Sequence, residues 1–417
     1  MIDLRRLHDD ADYRQGAIAK GVDPSAVDAA VEADVARRDL LGRVEALRAE
    51  QNTASKAIGK ASPEDRPAKI EAASALKAEL ADLEAELATA EAALDDATLA
   101  VPNPAHASVP AGGEDDFRIE TTFGEQTPAP PLDHAEIGEK LGIVDTERAV
   151  RMSGSRFAYV LGDAVRLQFA LVQWTMARLA EHQFVPAVVP VLVREDMMVD
   201  AGFFPTDRDQ VYALERDELF LVGTAEVGLA GLHRRERLDA DQLPLRYVGY
   251  SSCFRREAGT YGKDTSGLFR VHQFDKVEMF IYSHPDRSWD ELELLVQLEQ
   301  ETFQQLEIPH RVITVAAGDL GAAAAKKYDV EAWIPSQQAY REVTSCSNYT
   351  DFSARRMGTR FKGDSGVDFV HTLNGTACAI GRTLLAIFEN HQLPDGTISV
   401  PEVLRPWCGG LEAIEPR

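Results

Sequence analysis

Two stretches of this chain concentrate side chains that can do chemistry. The first is Cys253-Phe254-Arg255-Arg256-Glu257-Ala258-Gly259, followed a short loop later by Gly267-Leu268-Phe269-Arg270-Val271-His272-Gln273-Phe274-Asp275-Lys276-Val277-Glu278. The second gathers Glu342-Val343-Thr344-Ser345-Cys346-Ser347-Asn348, His371-Thr372-Leu373-Asn374-Gly375-Thr376 and Gly381-Arg382-Thr383-Leu384. Arginine carries a planar fork that stays charged and takes two oxygens of one anion. A carboxylate beside a hydroxyl is a hard oxygen pair suited to Mg2+. The common alternatives are missing: no Gly-x-x-x-x-Gly-Lys-[Ser/Thr] loop, no Gly-x-Gly-x-x-Gly, no His-Glu-x-x-His and no Gly-x-Ser-x-Gly. Cys253, Cys346, Cys378 and Cys408 form no Cys-x-x-Cys pair. That excludes the usual zinc spacings, argues against a disulfide framework and fits a reducing cytoplasm. Cys378 is expected to pack as a small hydrophobe.

The elements that must position these residues divide the chain. Length alone, 417 residues, predicts two or three domains. From about residue 132 the texture is mixed. Helices are expected over 161–182, 289–306 and 378–389. Strands are expected over 184–193, 219–222, 245–250, 271–282, 311–316, 342–349 and 369–374. Strands and helices do not alternate regularly, so a mostly antiparallel sheet with helices against it is expected, giving an α+β fold.

The N-terminal part is different. Between Tyr13 and Phe117 there is no aromatic residue. A globular core normally contains aromatics, which bury the most area per residue. Leu40, Val44, Leu47, Gln51, Ala54 and Ile58 instead follow heptad steps, as do Ala73, Leu76, Leu80, Leu83, Leu87, Ala90 and Leu94. Two antiparallel helices over about 27–99 follow, each ~45–50 Å long. Gly59 is read as the end of the first, and Ser62-Pro63 as N-cap and first residue of the second. Pro and Gly over 102–131 mark a connection. The boundary is placed at 110: an arm over 1–110 and a second domain over 111–417.

The net charge is −24, so the chain as a whole repels phosphate. Its distribution qualifies that. Residues 43–77 carry seven basic and five acidic groups, while 78–100 carry seven acids and no base. A basic outer half on an acidic protein fits a phosphate partner; a spacer or dimerisation coiled coil is the blander alternative. No apolar run of 18 residues appears and the N-terminus lacks an apolar leader core, so neither a transmembrane helix nor a signal peptide is expected.

Phe-Arg-x-Glu-Ala-Gly followed by Arg-x-His-Gln-Phe-x-Lys-x-Glu resembles motif 2 of the class II aminoacyl-tRNA synthetases, and the bacterial-type seryl-tRNA synthetase family in particular. Gly381-Arg382-Thr383-Leu384 matches motif 3, Pro190 the proline of motif 1, and the resemblance spans nearly the whole chain, arm included. It implies a class II catalytic domain behind a coiled-coil arm that binds tRNA. It also implies activation of L-serine by ATP, with Mg2+, to seryl-adenylate, and transfer to the 3′ end of tRNA(Ser), and of tRNA(Sec) where present, by a homodimer. By the same resemblance Arg255 and Arg382 are the catalytic cations. Arg255, Arg256, Glu257, Val271, Phe274, Glu342, Val343, Thr344, Ser345 and Arg382 contact ATP, with Phe274 stacking on adenine. Glu342 and Ser345 hold Mg2+. Thr224, Ala225, Glu226, Glu278 and Thr376 bind serine, and Arg43, Lys56, Lys60 and Lys69 contact tRNA. The chain departs from the family pattern at Ser266, where Arg is frequent, at Thr344 in Glu-[Val/Ile]-Ser-Ser, and at Asn374-Gly375-Thr376-Ala377-Cys378. A ligase that loads an amino acid onto a carrier protein would lack the arm. A non-catalytic tRNA-binding relative would be expected to lose Arg255, Glu278 or Arg382.

Overall fold

The structure, a computed structural model, describes residues 1–259, 267–364 and 366–416. It divides into two compact units, 1–104 and 105–417. Ser266 lies outside the described residues.

In the first unit, short helices Leu4–Asp9 and Ala11–Ile18 precede two long ones, Pro24–Ile58 and Arg66–Leu99. Asp23 caps the first long helix by accepting from Ser25 N–H, with Pro24 at its first position, and Gly59 closes it as expected. Val44, Leu80 and Leu83 are buried against Leu40, Leu47 and Leu87, so both heptad stripes meet in one seam. Arg48 bridges Glu84 across it. The second helix begins later than expected, with Asp65 rather than Ser62 as its N-cap. Ser62 Oγ accepts from Asp65 N–H at 3.2 Å and donates to the Asp65 carboxylate at 2.8 Å, bracing a turn ahead of the helix. Pro67 explains the shift: it sits in the first turn of a helix starting at Arg66, whereas a start at Pro63 would place it where a helical N–H is needed. Arg43, Lys56, Lys60 and Lys69 are all exposed.

The second unit is built on an eight-stranded sheet. We number its strands β1 (Arg118–Phe123), β2 (Val185–Val188), β3 (Leu245–Phe254), β4 (Gln273–Ser283), β5 (His310–Thr314), β6 (Lys326–Ile334), β7 (Ala339–Asn348) and β8 (His371–Ala379). Their order is β1-β5-β6-β7-β8-β4-β3-β2. All neighbours are antiparallel except the edge pair β2–β3. The α+β expectation therefore holds. The 184–193 run divides into β2 and a separate strand Leu192–Arg194, interrupted around Pro190. Two strands of the sheet, β1 and β6, were not expected, and β8 runs on to Ala379 before the helix Ile380–Asn390 begins.

One face of the sheet is covered by helices Asp163–Glu181, Ser288–Gln305 and Ile380–Asn390, whose apolar stripes pack on Val277, Met279, Ile281, Val330 and Leu373. Alternation puts Lys276 and Glu278 of β4, and Asn374 and Thr376 of β8, on the other face. A smaller core closes one end of that face, where Phe280 and Tyr282 meet Val222, Ala225, Val227 and Leu229. All four cysteines are free and buried, Cys378 in the main core as expected.

Candidate active site

The open face of the sheet carries a cleft in two continuous halves. The first half, of about 290 Å³, is lined by Arg255, Glu257, Phe269, Arg270, Val271, Phe274, Glu342, Val343, Ser345 and Arg382 among others. The second, of about 210 Å³, is lined by Thr224, Glu226, Asp207, Ser347, Tyr349, Asn374 and a Gly321–Ala324 loop. Arg255, Lys276, Lys327, Ser345 and Thr376 line both.

The second half is a buried acidic pocket. Glu226 heads the short helix Glu226–Ala230, with Thr224 Oγ1 accepting its N–H at 3.2 Å. Gly249 on β3 lets that helix sit close, because a Cβ there would stand 3.0 Å from Leu229 Cδ1 and 3.4 Å from Ala225 Cβ. Glu278 on β4 is fully buried, and Lys276 two residues before it on the same strand face is ion-paired to it at 2.6 Å. Asn374 Nδ2 donates to Glu226 Oε2 at 3.0 Å and to Glu278 Oε1 at 3.1 Å. Thr376 Oγ1 donates to Glu278 Oε2 at 3.4 Å. Two carboxylates against one lysine leave the pocket anionic once Glu226 ionises, and then able to take a ligand ammonium. Burial, with Glu278 alongside, pushes the Glu226 carboxyl up to about 7, against the pull of Lys276, Tyr349 and Arg255. Ala225, the N-cap of that helix, is buried and lines neither half of the cleft.

The first half is cationic. Arg255, at the end of β3, anchors its Nε on the Gly223 carbonyl at 3.2 Å and lies 5.3 Å over the Phe274 ring. Its backbone is clamped by His272, which accepts its N–H at 2.9 Å. Glu257 has φ +51, in the left-handed region, and pairs with Arg270 at 2.6 Å. Arg382 stands in the first turn of the helix Ile380–Asn390, whose N-cap, Ala379, makes no side-chain cap bond. A cation there opposes the helix dipole. Glu342 compensates: Arg382 Nη1 donates to its carbonyl at 2.8 Å and to its Oε1 at 3.3 Å. Against a desolvation cost, Arg382, Lys327 and Arg255 hold the Glu342 carboxyl below its ordinary range.

Irregular strand pairing decides which residues reach the cleft. Glu331 pairs with Glu342 but Val330 pairs with Thr344, so Val343 is an extra residue on β7. Glu342 and Ser345, three apart, therefore face the cleft together, which strict alternation would forbid. A second bulge at Ala377 does the same for Thr376 and Ala379, since Glu278 pairs with Thr376 and Val277 with Cys378. Between Glu342 and Ser345, Val343 still touches the cleft, but Thr344 is buried on the helix-covered side, against Glu299. Burial pushes the Glu299 carboxyl far up, against the pull of Thr344.

The residues expected at the site line the cleft together except for Thr344, Arg256, Ala225 and Glu278, the last reached through Asn374 and Thr376. Thr344 is turned away, so its departure from the family pattern does not touch the cleft. Arg256 lies 5.7 Å over the Tyr212 ring, its N–H on the Gln210 carbonyl, and is not among the residues lining the cleft. Sequence reasoning assigned nothing to Lys276, Asn374, Lys327, Asp329 or Phe269. Lys276 and Asn374 were legible in principle, standing two residues from Glu278 and Thr376 and hence on their faces. Lys327 and Asp329 belong to the unexpected strand β6, where Asp329 faces Ser345 and lies 3.4 Å from Lys327. Burial pushes Asp329 up to about 7 against the pull of Lys327.

Comparison with known proteins gives one answer for both units. Residues 1–105 match the family model described as seryl-tRNA synthetase N-terminal domain, and residues 211–391 that described as tRNA synthetase class II core domain (G, H, P, S and T). The chain is 48% identical over 422 residues to serine–tRNA ligase 1 of Streptomyces avermitilis, covering 100% of this chain and 99% of that one. It is 48% identical over 420 residues to the serine–tRNA ligase of Mycolicibacterium vanbaalenii, each covered in full. Among solved structures, the seryl-tRNA synthetase of Pyrococcus horikoshii complexed with ATP superimposes with a TM-score of 0.93 at 38% identity, over 100% of both chains.

Proposed function

The chain belongs to the seryl-tRNA synthetase family, and from that premise we propose how its residues divide the work of a serine–tRNA ligase. ATP, serine and tRNA are its substrates. In the first step a serine carboxylate oxygen attacks the α-phosphorus of ATP and pyrophosphate leaves. In the second, a hydroxyl of the tRNA 3′-terminal adenosine attacks the seryl carbonyl and AMP leaves.

The observation that carries the division is the shared wall of the two half-clefts. A ligand ammonium in the Glu226–Glu278 pocket and a nucleotide in the cationic half would meet beside Arg255, which lines both. Arg255 and Arg382 balance the charge that builds on the phosphates, as fixed cations in a partly dry cleft. Glu257, Val271, Phe274 and Val343 border the nucleotide, and Phe274 carries the adenine. Thr224, Ala225 and Glu226 with Glu278 hold serine. Thr376 reads its hydroxyl, so alanine would leave buried polar groups unpaired. Mg2+ fits the donor set of Glu342 and Ser345, a carboxylate and a hydroxyl on one cleft face. No cluster of three metal-binding side chains lies among the described residues, which fits an ion that keeps phosphate and water ligands. When bound, it supplies charge to the triphosphate.

The arm, by its exposed Arg43, Lys56, Lys60 and Lys69, holds tRNA(Ser) through backbone phosphates, and tRNA(Sec) where the cell has it. The edge strand Val185–Val188 leaves Val188 85% and Val185 55% exposed, with Phe169 49% exposed on a neighbouring helix. That apolar edge, beside Pro190, supports a homodimer. Free buried cysteines support a cytoplasmic setting, and no helix among the described residues is long and apolar enough to cross a membrane.

A panel of amino acids in ATP–pyrophosphate exchange, with and without tRNA, tests this reading. Serine alone should drive exchange. Comparable exchange with alanine, glycine or threonine would sink the hydroxyl-reading site.

A further inference from the structure

Phe269 lies in the cationic half of the cleft and is 5% exposed. Its ring is touched by two guanidinium groups: Arg341 at 4.0 Å from the centroid and Arg382 at 4.8 Å. The position of Arg382 needs an explanation. It stands in the first turn of a helix whose dipole repels a cation, and its side chain is 24% exposed. A long side chain in that setting has both the freedom and the electrostatic reason to swing into solvent. The Glu342 oxygens restrain one side of the guanidinium. The face of Phe269 supplies a second restraint. An aromatic face attracts a cation through its quadrupole, and an aliphatic side chain of similar bulk does not. Arg255, by contrast, is anchored to the Gly223 carbonyl and lies over the Phe274 ring.

We propose that Phe269 is a positioning residue for ATP: its ring holds the Arg382 guanidinium in the pose that receives the nucleotide. The proposal rests on the reading of Arg382 as an ATP-contacting cation. It makes Phe269 a partner of that arginine and not itself a surface for adenine, a task that falls to Phe274.

Serine-dependent pyrophosphate exchange by the full chain tests it, with Phe269→Leu, Phe269→Met, Phe269→Trp, Arg382→Ala and the Phe269→Leu/Arg382→Ala pair. Loss of a cation–ring contact should raise the KM for ATP by about 3- to 30-fold in the Leu and Met variants. The KM for serine and the melting temperature should stay near those of the parent, and Phe269→Trp should restore the ATP KM. In the Arg382→Ala background, Phe269→Leu should add nothing, since the group it positions is gone. The proposal is overturned if Phe269→Leu leaves the ATP KM unchanged while Arg382→Ala is crippled. It is overturned equally if Phe269→Trp is as impaired as Phe269→Leu, which would make bulk the requirement. A full Phe269→Leu effect on top of Arg382→Ala would show the ring meeting the nucleotide directly. Near-normal exchange by Arg382→Ala would remove the assignment of Arg382, and this proposal with it, leaving the serine pocket untouched.

Discussion

Replacing Glu226 by Gln should make the protein more stable and less able to bind serine, each in a pH-dependent way. Glu226 is 5% exposed, and its carboxyl is held at about 7 by burial and by Glu278. In the unfolded chain it titrates near 4.5. The folded state therefore holds a proton that the unfolded state has lost between those values. Stability from this group is fully present below about 4.5 and is lost as pH rises through about 7. At pH 8 the ionised, buried form costs on the order of 3 kcal/mol, and at pH 5 under about 1 kcal/mol. Gln keeps the shape and can still accept from Asn374 Nδ2, but has nothing to ionise. For a domain of this size the melting temperature should rise by roughly 5–10 °C at pH 8, and only by roughly 1–3 °C at pH 5.

Serine binding should move the other way. Only the carboxylate attracts an ammonium, so the parent KM for serine should fall about tenfold between pH 6 and pH 8. The Gln variant should lose that dependence and bind serine about 10- to 100-fold more weakly, as expected for removal of a charged hydrogen-bond partner. The assays are thermal melts without ligand at both pH values and pyrophosphate exchange with serine titrated at each. An equal stability gain at pH 5 and pH 8 would refute the account of Glu226 as a group kept protonated by burial. A flat serine KM in the parent, with normal binding by the variant, would place the ammonium elsewhere.

Four further outcomes follow from the site and the arm. Arg255→Ala should slow exchange by about 100- to 1,000-fold, as removal of a fixed donor from developing oxyanion charge does, and near-normal exchange would make Arg255 structural. Replacing about residues 40–85 by a short turn should leave serine activation intact and severely reduce tRNA charging; normal charging would make the arm a spacer. Neutralising Arg43, Lys56, Lys60 and Lys69 should flatten the salt dependence of tRNA binding by a slope of ~0.9 per lost contact, by analogy with B-DNA. Ser345→Ala should raise the KM for ATP by about tenfold, while Thr344→Val, altering the opposite face, should leave it unchanged. Equal effects would contradict the bulge at Val343.

Much of this was legible because the signals were periodic or contiguous. The arm is a pair of heptad stripes, and Val44, Leu80 and Leu83 meet where those stripes require. Arg255, Glu257, Phe274 and Glu278 lie in one uninterrupted motif whose two strands pair directly. What escaped reading has physical reasons. In β6, Lys327, Asp329 and Glu331 alternate with Tyr328, Val330 and Ala332, a strand pattern in which charge counts as exposure. Of that charged face Lys327 lines the cleft, Asp329 offsets it, and Glu331 pairs with Arg311. β1 was hidden by its neighbourhood of Pro and Gly and by being exposed along its whole length. Pro67 overruled a plausible cap at Ser62, and only the position of that proline within the first turn could have said so.

The position of Thr344 shows a more general limit. Glu342-Val343-Thr344-Ser345 reads as one string, and a resemblance carries it over as one. A strand divides such a string between two faces at every second residue. Here the division is uneven, because Val343 is the extra residue of a bulge and Glu342 and Ser345 fall on one side. Ala377 repeats the device on the adjoining strand, bringing Thr376 and Ala379 to the same cleft. Both extra residues are apolar and buried, Val343 at 2% and Ala377 at 1% exposure. Each bulge disrupts a ladder locally, although its extra residue packs in the main core. The return is on the cleft face, where Glu342 reaches Arg382 and Thr376 reaches Glu278. A sheet of strict period two would offer the cleft either member of each odd-spaced pair, never both. The chemistry therefore sits where the sheet is least regular, and alternation read from sequence fails at those residues for the same reason that the site can form.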